Sequence, residues 1–279
     1  MRMKLAAYLC LYASGFFFSA SVFLAFAAQR EYRLFKSLVD AESGLPYEHS
    51  PDKPAATESL PAFRNYGYPV RMMNVVHELL ERRGRVFSGR DYSLRESFYT
   101  SGSDHLATGQ GACASFSWVL AEALQIAGYN ANMAQLRCED GSLCHTIVEV
   151  NDEGRSVVLD PVQNLFYLNQ DERPATLEEI NQGMATPFEG SISTTILDIR
   201  SLQADPKQVV YTNWSRIPLI GDVFGKLIVA LAPEMERFSL RSRILNVHQA
   251  LSISSIILAA IFFAFFKLLI NFTAVKSSA

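Results

Sequence analysis

The feature that most constrains this chain is an uncharged run near its start. From Leu5 to Ala28 the sequence reads LAAYLCLYASGFFFSASVFLAFAA, without one Asp, Glu, Lys or Arg. A bilayer's hydrocarbon core takes about 20 consecutive apolar residues as a helix, and this run is long enough. A cleaved signal peptide has a shorter apolar core and a small-residue cleavage site. The FAA ending at Ala28 keeps that option open, but the length favours an uncleaved anchor. A second run, LSISSIILAAIFFAFFKLLINFTAV from Leu251 to Val275, carries a single charge, Lys267. Near the end of a span, the stem of such a lysine can snorkel to the interface. The expectation is therefore two transmembrane helices, residues 5–28 and 250–275, with the intervening chain on one side of a membrane.

Which side is open to two arguments. Arg30, Arg33, Lys36, Arg237, Arg241 and Arg243 flank the middle segment, against Arg2, Lys4 and Lys276 at the ends. The positive-inside rule thus leans toward a cytoplasmic domain, but long domains cross largely regardless of charge. Cys138 and Cys144 flank the short EDGSL stretch. Opposite each other in a hairpin they would form a disulfide, which requires an oxidising compartment. That pair and the signal-anchor character of the first run favour a periplasmic domain, with the cytoplasmic orientation still open. A formal net charge of −3 over 279 residues gives no electrostatic reason to expect nucleic acid.

Between the spans, composition changes by segment. Residues 29–69 read as a juxtamembrane segment and linker, rich in Pro, Ser and charge from Glu42 to Pro61. A helix is expected from Val70 to Arg83, with Val75, Val76, Leu79 and Leu80 on its apolar face and Gly84 ending it. His77 lies near that face, where a structural histidine fits. The clearest helix follows Cys113: Phe116, Val119, Leu120, Ala123, Leu124 and Ala127 recur at helical spacing, and Gly128 suits the C′ position. Strand-like stretches follow at Ala131–Arg137, Leu143–Val150 and Arg155–Asp160, separated by EDGS and NDEG turns. A short capped helix is expected in PATLEEINQG, Pro174 to Gly183, and further strands between Ser191 and Trp214. Residues 216–249 form an amphipathic or interfacial segment, its apolar part running from Ile217 to Ala232. The fold class is α+β: a helix followed by an antiparallel β-meander, in a domain of residues 70–215.

The chemistry concentrates on three residues. Cys113 opens its helix, where free backbone N–H groups and the macrodipole favour a thiolate and could receive an oxyanion. A lone cysteine is ordinarily a small buried hydrophobe. The last hairpin adds a reason to read more. With its turn centred on Asp152 and Glu153 and Asn151 opposite Gly154, His145 falls directly opposite Asp160, close enough for an imidazole–carboxylate hydrogen bond. Nucleophile, base and orienting carboxylate would then occur in the order Cys, His, Asp. Asp104 and His105, in the loop SGSDHLATGQ, could border the same cleft. No His or Cys spacing other than the hairpin pair suits a metal, and neither a metal nor a cofactor is expected.

The stretches GACASFSWVLAEALQIAGYNA, HTIVEV and VVLDP together resemble the transglutaminase-like superfamily, a branch of the papain-like cysteine enzymes. In that family a Cys opens a helix ending in Gly, a His starts a strand, and an Asp-Pro closes the next. The resemblance implies a papain/transglutaminase-like core, here in a membrane-anchored member of bacterial type, seated in an inner membrane. It implies Cys113 as nucleophile, His145 as general base and acid, and Asp160 as the residue orienting His145. Gln110, just upstream of Cys113, could donate a side-chain N–H to the oxyanion or equally face solvent. The implied activity is acyl transfer or hydrolysis of an amide or peptide bond in a peptide or protein substrate, at the surface of the lipid bilayer. The rival expectation is a scaffold whose triad is idle, binding a partner in a membrane complex such as one for cell-envelope or polysaccharide assembly.

Overall fold

The computed structural model describes residues 2–43, 66–87, 100–109, 112–137, 143–188, 209–212, 221–232, 239–243 and 245–277. It divides into two compact units, Met1–Arg33 with Asn246–Ala279, and Leu34–Leu245.

The first unit is built from α8 (Val247–Ser277) and the part of α1 (Arg2–Ser43) up to Arg33; the last residues of α1, from Leu34, belong to the second unit. Both contain stretches long and apolar enough to cross a membrane, Leu5–Glu42 and Val247–Phe272. Their contacts run antiparallel. Ser14 Oγ donates to Ala259 O (3.0 Å), Ser252 Oγ to Ser21 O (2.9 Å) and Asn246 Nδ2 to Ala28 O (3.3 Å). Phe17 stacks on Phe262, and His248 Nδ1 meets Glu31 Oε2 at 2.8 Å. Small hydroxyl residues that bond across helices are what holds such pairs where apolar burial gives no drive. The helix α1 outruns the expected span, because QREYRLFKSLVDAES contains neither Gly nor Pro to stop it. Residues 29–43, the first part of the expected juxtamembrane segment and linker, are helical, with Phe35 and Val39 buried one turn apart. Of the rest of that segment, residues 44–65 lie outside the described residues, and Tyr68 and Pro69 already begin the next helix.

The second unit is α+β. Helices α2 (Tyr68–Phe87), α3 (Gly102–Thr108) and α4 (Ala112–Ile126) precede β1 (Asn130–Arg137), β2 (Leu143–Asp152), β3 (Arg155–Asp160) and β4 (Leu165–Asn169). Then come α5 (Leu177–Asn181), β5 (Ala185–Pro187), β6 (Val209–Val210), α6 (Gly221–Leu231) and α7 (Leu240–Arg243). The strands form one antiparallel sheet in the order β5-β4-β3-β2-β1-β6. The expected meander is its centre. Period-2 alternation buries both faces. Ala134, Leu136, Ile147, Val158 and Tyr167 join Ile180 of α5 in one cluster. Met133, Val148, Val150 and Leu159 alternate with them and are also buried. Helix α4 packs on β1 and β2, with α2 and α3 against it.

Local chemistry explains the element ends. After α4, Tyr129 N donates to Leu124 O (2.9 Å) and Gly128 N to Gln125 O (3.0 Å), with Gly128 at φ 95°. These are the two bonds of a Schellman motif, with Gly128 at C′ as its sequence position predicts. Thr176 and Glu179 close a capping box at the start of α5. Two expectations need correction. Gly84 does not end α2, which continues to Phe87. Its role is close approach: a Cβ on Gly109 would sit 2.6 Å from Leu80 O and 2.9 Å from Gly84 N. The stretch around Asp104 is also not a loop. Ser101 and Asp104 cap one another reciprocally and start α3. The apolar segment after Ile217 contains α6, whose Val223, Leu227 and Leu231 are all exposed.

Gly109 yields the first prediction. Its φ of 60° is left-handed, and the two atoms a Cβ would crowd, Leu80 O and Gly84 N, are backbone atoms, which cannot swing away. Gly109→Ala should cost about 2–4 kcal/mol from left-handed strain and overpacking together. Gly128→Ala, at φ 95° with nothing within 4 Å of its Cβ, meets the strain alone. Thermal unfolding of the full chain in detergent should show Gly109→Ala as clearly the less stable of the two variants.

Candidate active site

Cys113 is the second residue of α4, half-buried, in the turn whose backbone N–H groups have no partner within the helix. His145 lies near the start of β2 and Asp160 ends β3; both are buried. The three expected residues meet. His145 Nε2 lies 2.6 Å from Asp160 Oδ2, and the Cys113 thiol hydrogen-bonds the His145 ring. Since Nε2 faces the carboxylate, Nδ1 is the nitrogen left for the sulfur. The other oxygen, Asp160 Oδ1, accepts from Val162 N (3.1 Å) and Gln163 N (3.2 Å). Those bonds fix the carboxylate so that Oδ2 points at the imidazole.

The contact forms in a register different from the expected one. The observed pairs are Asp152↔Arg155, Val150↔Val157 and Val148↔Leu159, so the two-residue loop is Glu153–Gly154. Both loop residues have positive φ, 50° and 83°, the condition of a type I′ turn. Glycine can hold the second of these positions without strain. Moving the turn centre by one residue moves the register by two. One more step along the ladder would set Asp160 across from Ile147, so His145 is its diagonal neighbour, not its direct partner. A slip of two preserves the face, whereas a slip of one would have separated the pair. Diagonal neighbours remain within reach of long side chains.

Thr146 also reaches the sulfur, through its side chain and its backbone. Ser117 Oγ, one turn beyond Cys113 on the same face of α4, donates to Thr146 O at 2.8 Å. Consecutive strand residues ordinarily point to opposite faces. Here His145 and Thr146 both engage Cys113, next to the point where the β1–β2 register shifts between Leu136 and Arg137. Such irregularities commonly re-aim side chains beside sites. Sequence reasoning missed Thr146 and Ser117; the i, i+4 spacing of Cys113 and Ser117 was the available signal.

The electrostatics follow from these contacts. Burial raises the Cys113 thiol, but its bond to His145, the imidazolium charge and the Thr146 contacts outweigh that and leave it below the ordinary 9.0. Burial lowers His145, but the bonds to Asp160 and to Cys113, with their charges, carry it from 6.5 up to about 10. The two shifts point the same way: each partner favours the charged form of the other.

Other expected participants are elsewhere or undescribed. His105 shares a 2.7 Å hydrogen bond between its Nδ1 and Ser115 Oγ, and its ring lies 5.1 Å from that of Trp118. Asp104 caps α3. Neither reaches the triad in any bond described, because α3 turns them to packing and capping. Gln110, Cys138 and the side chain of Cys144 lie outside the described residues. Among the described residues no group of three His, Cys, Asp or Glu side chains is placed to hold a metal ion. Compared with protein-family models, with curated proteins and with solved structures, the chain finds no match.

Proposed function

We propose that this chain is a membrane-anchored cysteine enzyme of transglutaminase-like type, with a papain-like core. It acts on the amide carbonyl of a peptide or protein by acyl transfer or hydrolysis. The observation that carries the reading is the bonded series Cys113–His145–Asp160, with its thiol lowered and its imidazole raised. The apolar stretches of α1 and α8 act as the two anchors in the lipid bilayer. The reading puts the domain on the periplasmic side of a bacterial inner membrane, on the strength of the Cys138 and Cys144 hairpin pair.

The Cys113 thiolate attacks the carbonyl carbon, and the oxygen takes the negative charge beside the first-turn N–H groups of α4. His145 gives its Nδ1 proton to the leaving amine as the C–N bond breaks, leaving a thioester. A water molecule, or an amine in the transfer reaction, then attacks the thioester while His145 takes its proton. The thiolate leaves, and the imidazolium pair is restored. Asp160 holds the ring in the tautomer and orientation both halves need.

A generic acyl donor tests this without knowledge of the substrate. Full-length protein in detergent, mixed with p-nitrophenyl acetate, should acetylate on Cys113 in a burst and then release acetate repeatedly. Peptide mass mapping locates the acetyl group. Cys113 reacting no faster than the other cysteines, or holding its acetyl group without turnover, would favour the scaffold expectation instead.

A further inference from the structure

Two side chains of α2 reach the turn that follows Asp160. His77 Nδ1 lies 3.0 Å from Pro161 O; a carbonyl only accepts, so the ring donates from Nδ1. Asn164 Nδ2 donates to Asn74 Oδ1 at 2.8 Å, and both asparagines are buried. Asn164 is left-handed, at φ 49°, a conformation asparagine tolerates. Asn74 and His77 are three residues apart, hence on one face of α2. Pro161 and Asn164 are the two ends of a turn whose middle N–H groups, at Val162 and Gln163, donate to Asp160 Oδ1. One short turn is thus gripped at both ends by α2 while its centre grips the carboxylate.

We infer that Asn74 and His77 are positioning residues for Asp160, acting through the turn to keep its second oxygen aimed at His145. The inference rests on the catalytic reading, because its effect is felt only through the Cys113–His145 pair. Apolar packing alone would not need a donor at Nδ1. Around the ring, Nε2 lies 3.9 Å from Glu81 Oε2, and the Phe116 ring centroid is 6.2 Å from that of His77. The polar link from His77 to the turn is therefore the Nδ1 bond. A carboxylate whose anchoring turn drifts by about an ångström loses alignment, and such misplacements cost up to roughly 100-fold in rate.

Two amide substitutions separate position from polarity. His77→Asn places a side-chain N–H close to where Nδ1 stands. His77→Gln carries it out toward the place of Nε2. Full-length variants in detergent are compared by p-nitrophenyl acetate turnover and by the pH profile of Cys113 alkylation, mapped by mass spectrometry. His77→Asn should stay within about threefold of the parent chain. His77→Gln should lose between about 10- and 100-fold in kcat at unchanged KM, with its alkylation profile moved toward that of an ordinary thiol. If the two variants behave alike while the parent keeps an acid-shifted profile, the positioning role is wrong and the catalytic reading stands. If the parent itself alkylates as an ordinary thiol, both are overturned.

Discussion

Cys113→Ala is expected to abolish turnover of p-nitrophenyl acetate, a fall on the order of 10⁴-fold or more, since without the nucleophile only binding and oxyanion contacts remain. Cys113→Ser should be nearly as poor. On the proposed mechanism the site works by holding a thiolate beside an imidazolium, and a serine hydroxyl ionises far too weakly to replace it. Neither change removes a large apolar group, and the half-buried thiol contributes little to the core. Both variants should therefore unfold close to the parent temperature. A loss of fold in proportion to the loss of turnover would mean that Cys113 is a packing residue. The chain has four cysteines, so the readout is turnover together with the mapped adduct, not total thiol reactivity.

Asp160→Asn should cost on the order of 10³–10⁴-fold with the fold retained. The asparagine carbonyl can still accept from Val162 N and Gln163 N, which leaves its amide nitrogen facing His145 Nε2. An amide donor there favours a ring protonated on Nδ1 and not on Nε2, and the neutral ring then has no lone pair for the thiol proton. The charge that helps raise His145 to about 10 also goes. The pH dependence has a definite sign. His145 is raised on folding, so its contribution to stability is full below about pH 6.5 and fades as pH rises through about 10. Cys113 is lowered, so its contribution is full above 9.0 and is lost as pH falls through its reduced value. On the proposed mechanism the ion pair occupies the window between the two, and turnover should decline on the alkaline side near pH 10. In Asp160→Asn that alkaline limb should move to lower pH. Rate profiles from pH 5 to 11 measure both limbs.

Much of the site was legible because its signals are local. A glycine at C′ of α4, an apolar stripe from Phe116 to Ala127, and turns carrying Asp and Gly between alternating strands are each plain local signals. The hairpin register was less legible. The sequence NDEG admits more than one two-residue loop, and the positive φ of both Glu153 and Gly154 selects the observed one. The His145–Asp160 contact survived because the discrepancy was two residues and parity was kept. Gly84 misled because a glycine late in a helix signals an end, whereas here it admits the Gly109 loop, a contact between segments far apart in the chain. Asn74, His77, Ser117 and Thr146 were illegible as a group for the same reason. Their meaning lies in hydrogen bonds to Pro161, Asn164, Thr146 and Cys113, and beyond the i, i+4 spacing of Cys113 and Ser117 no periodicity points to those pairings. The reciprocal cap of Ser101 and Asp104 was readable, as a serine followed three residues later by an acid before an apolar residue.

The central claim is that Cys113 is held as a thiolate by His145. Alkylation of the native full-length chain by iodoacetamide, quantified at Cys113 by peptide mass mapping across pH 5 to 9, measures this directly. An ordinary thiol loses roughly 150-fold in rate between pH 8.5 and pH 6, in step with its thiolate fraction. The pairing predicts that Cys113 keeps its rate at pH 6 within about tenfold of that at pH 8.5, and that denaturation restores the steep profile. A native Cys113 that already follows the steep profile would contradict it.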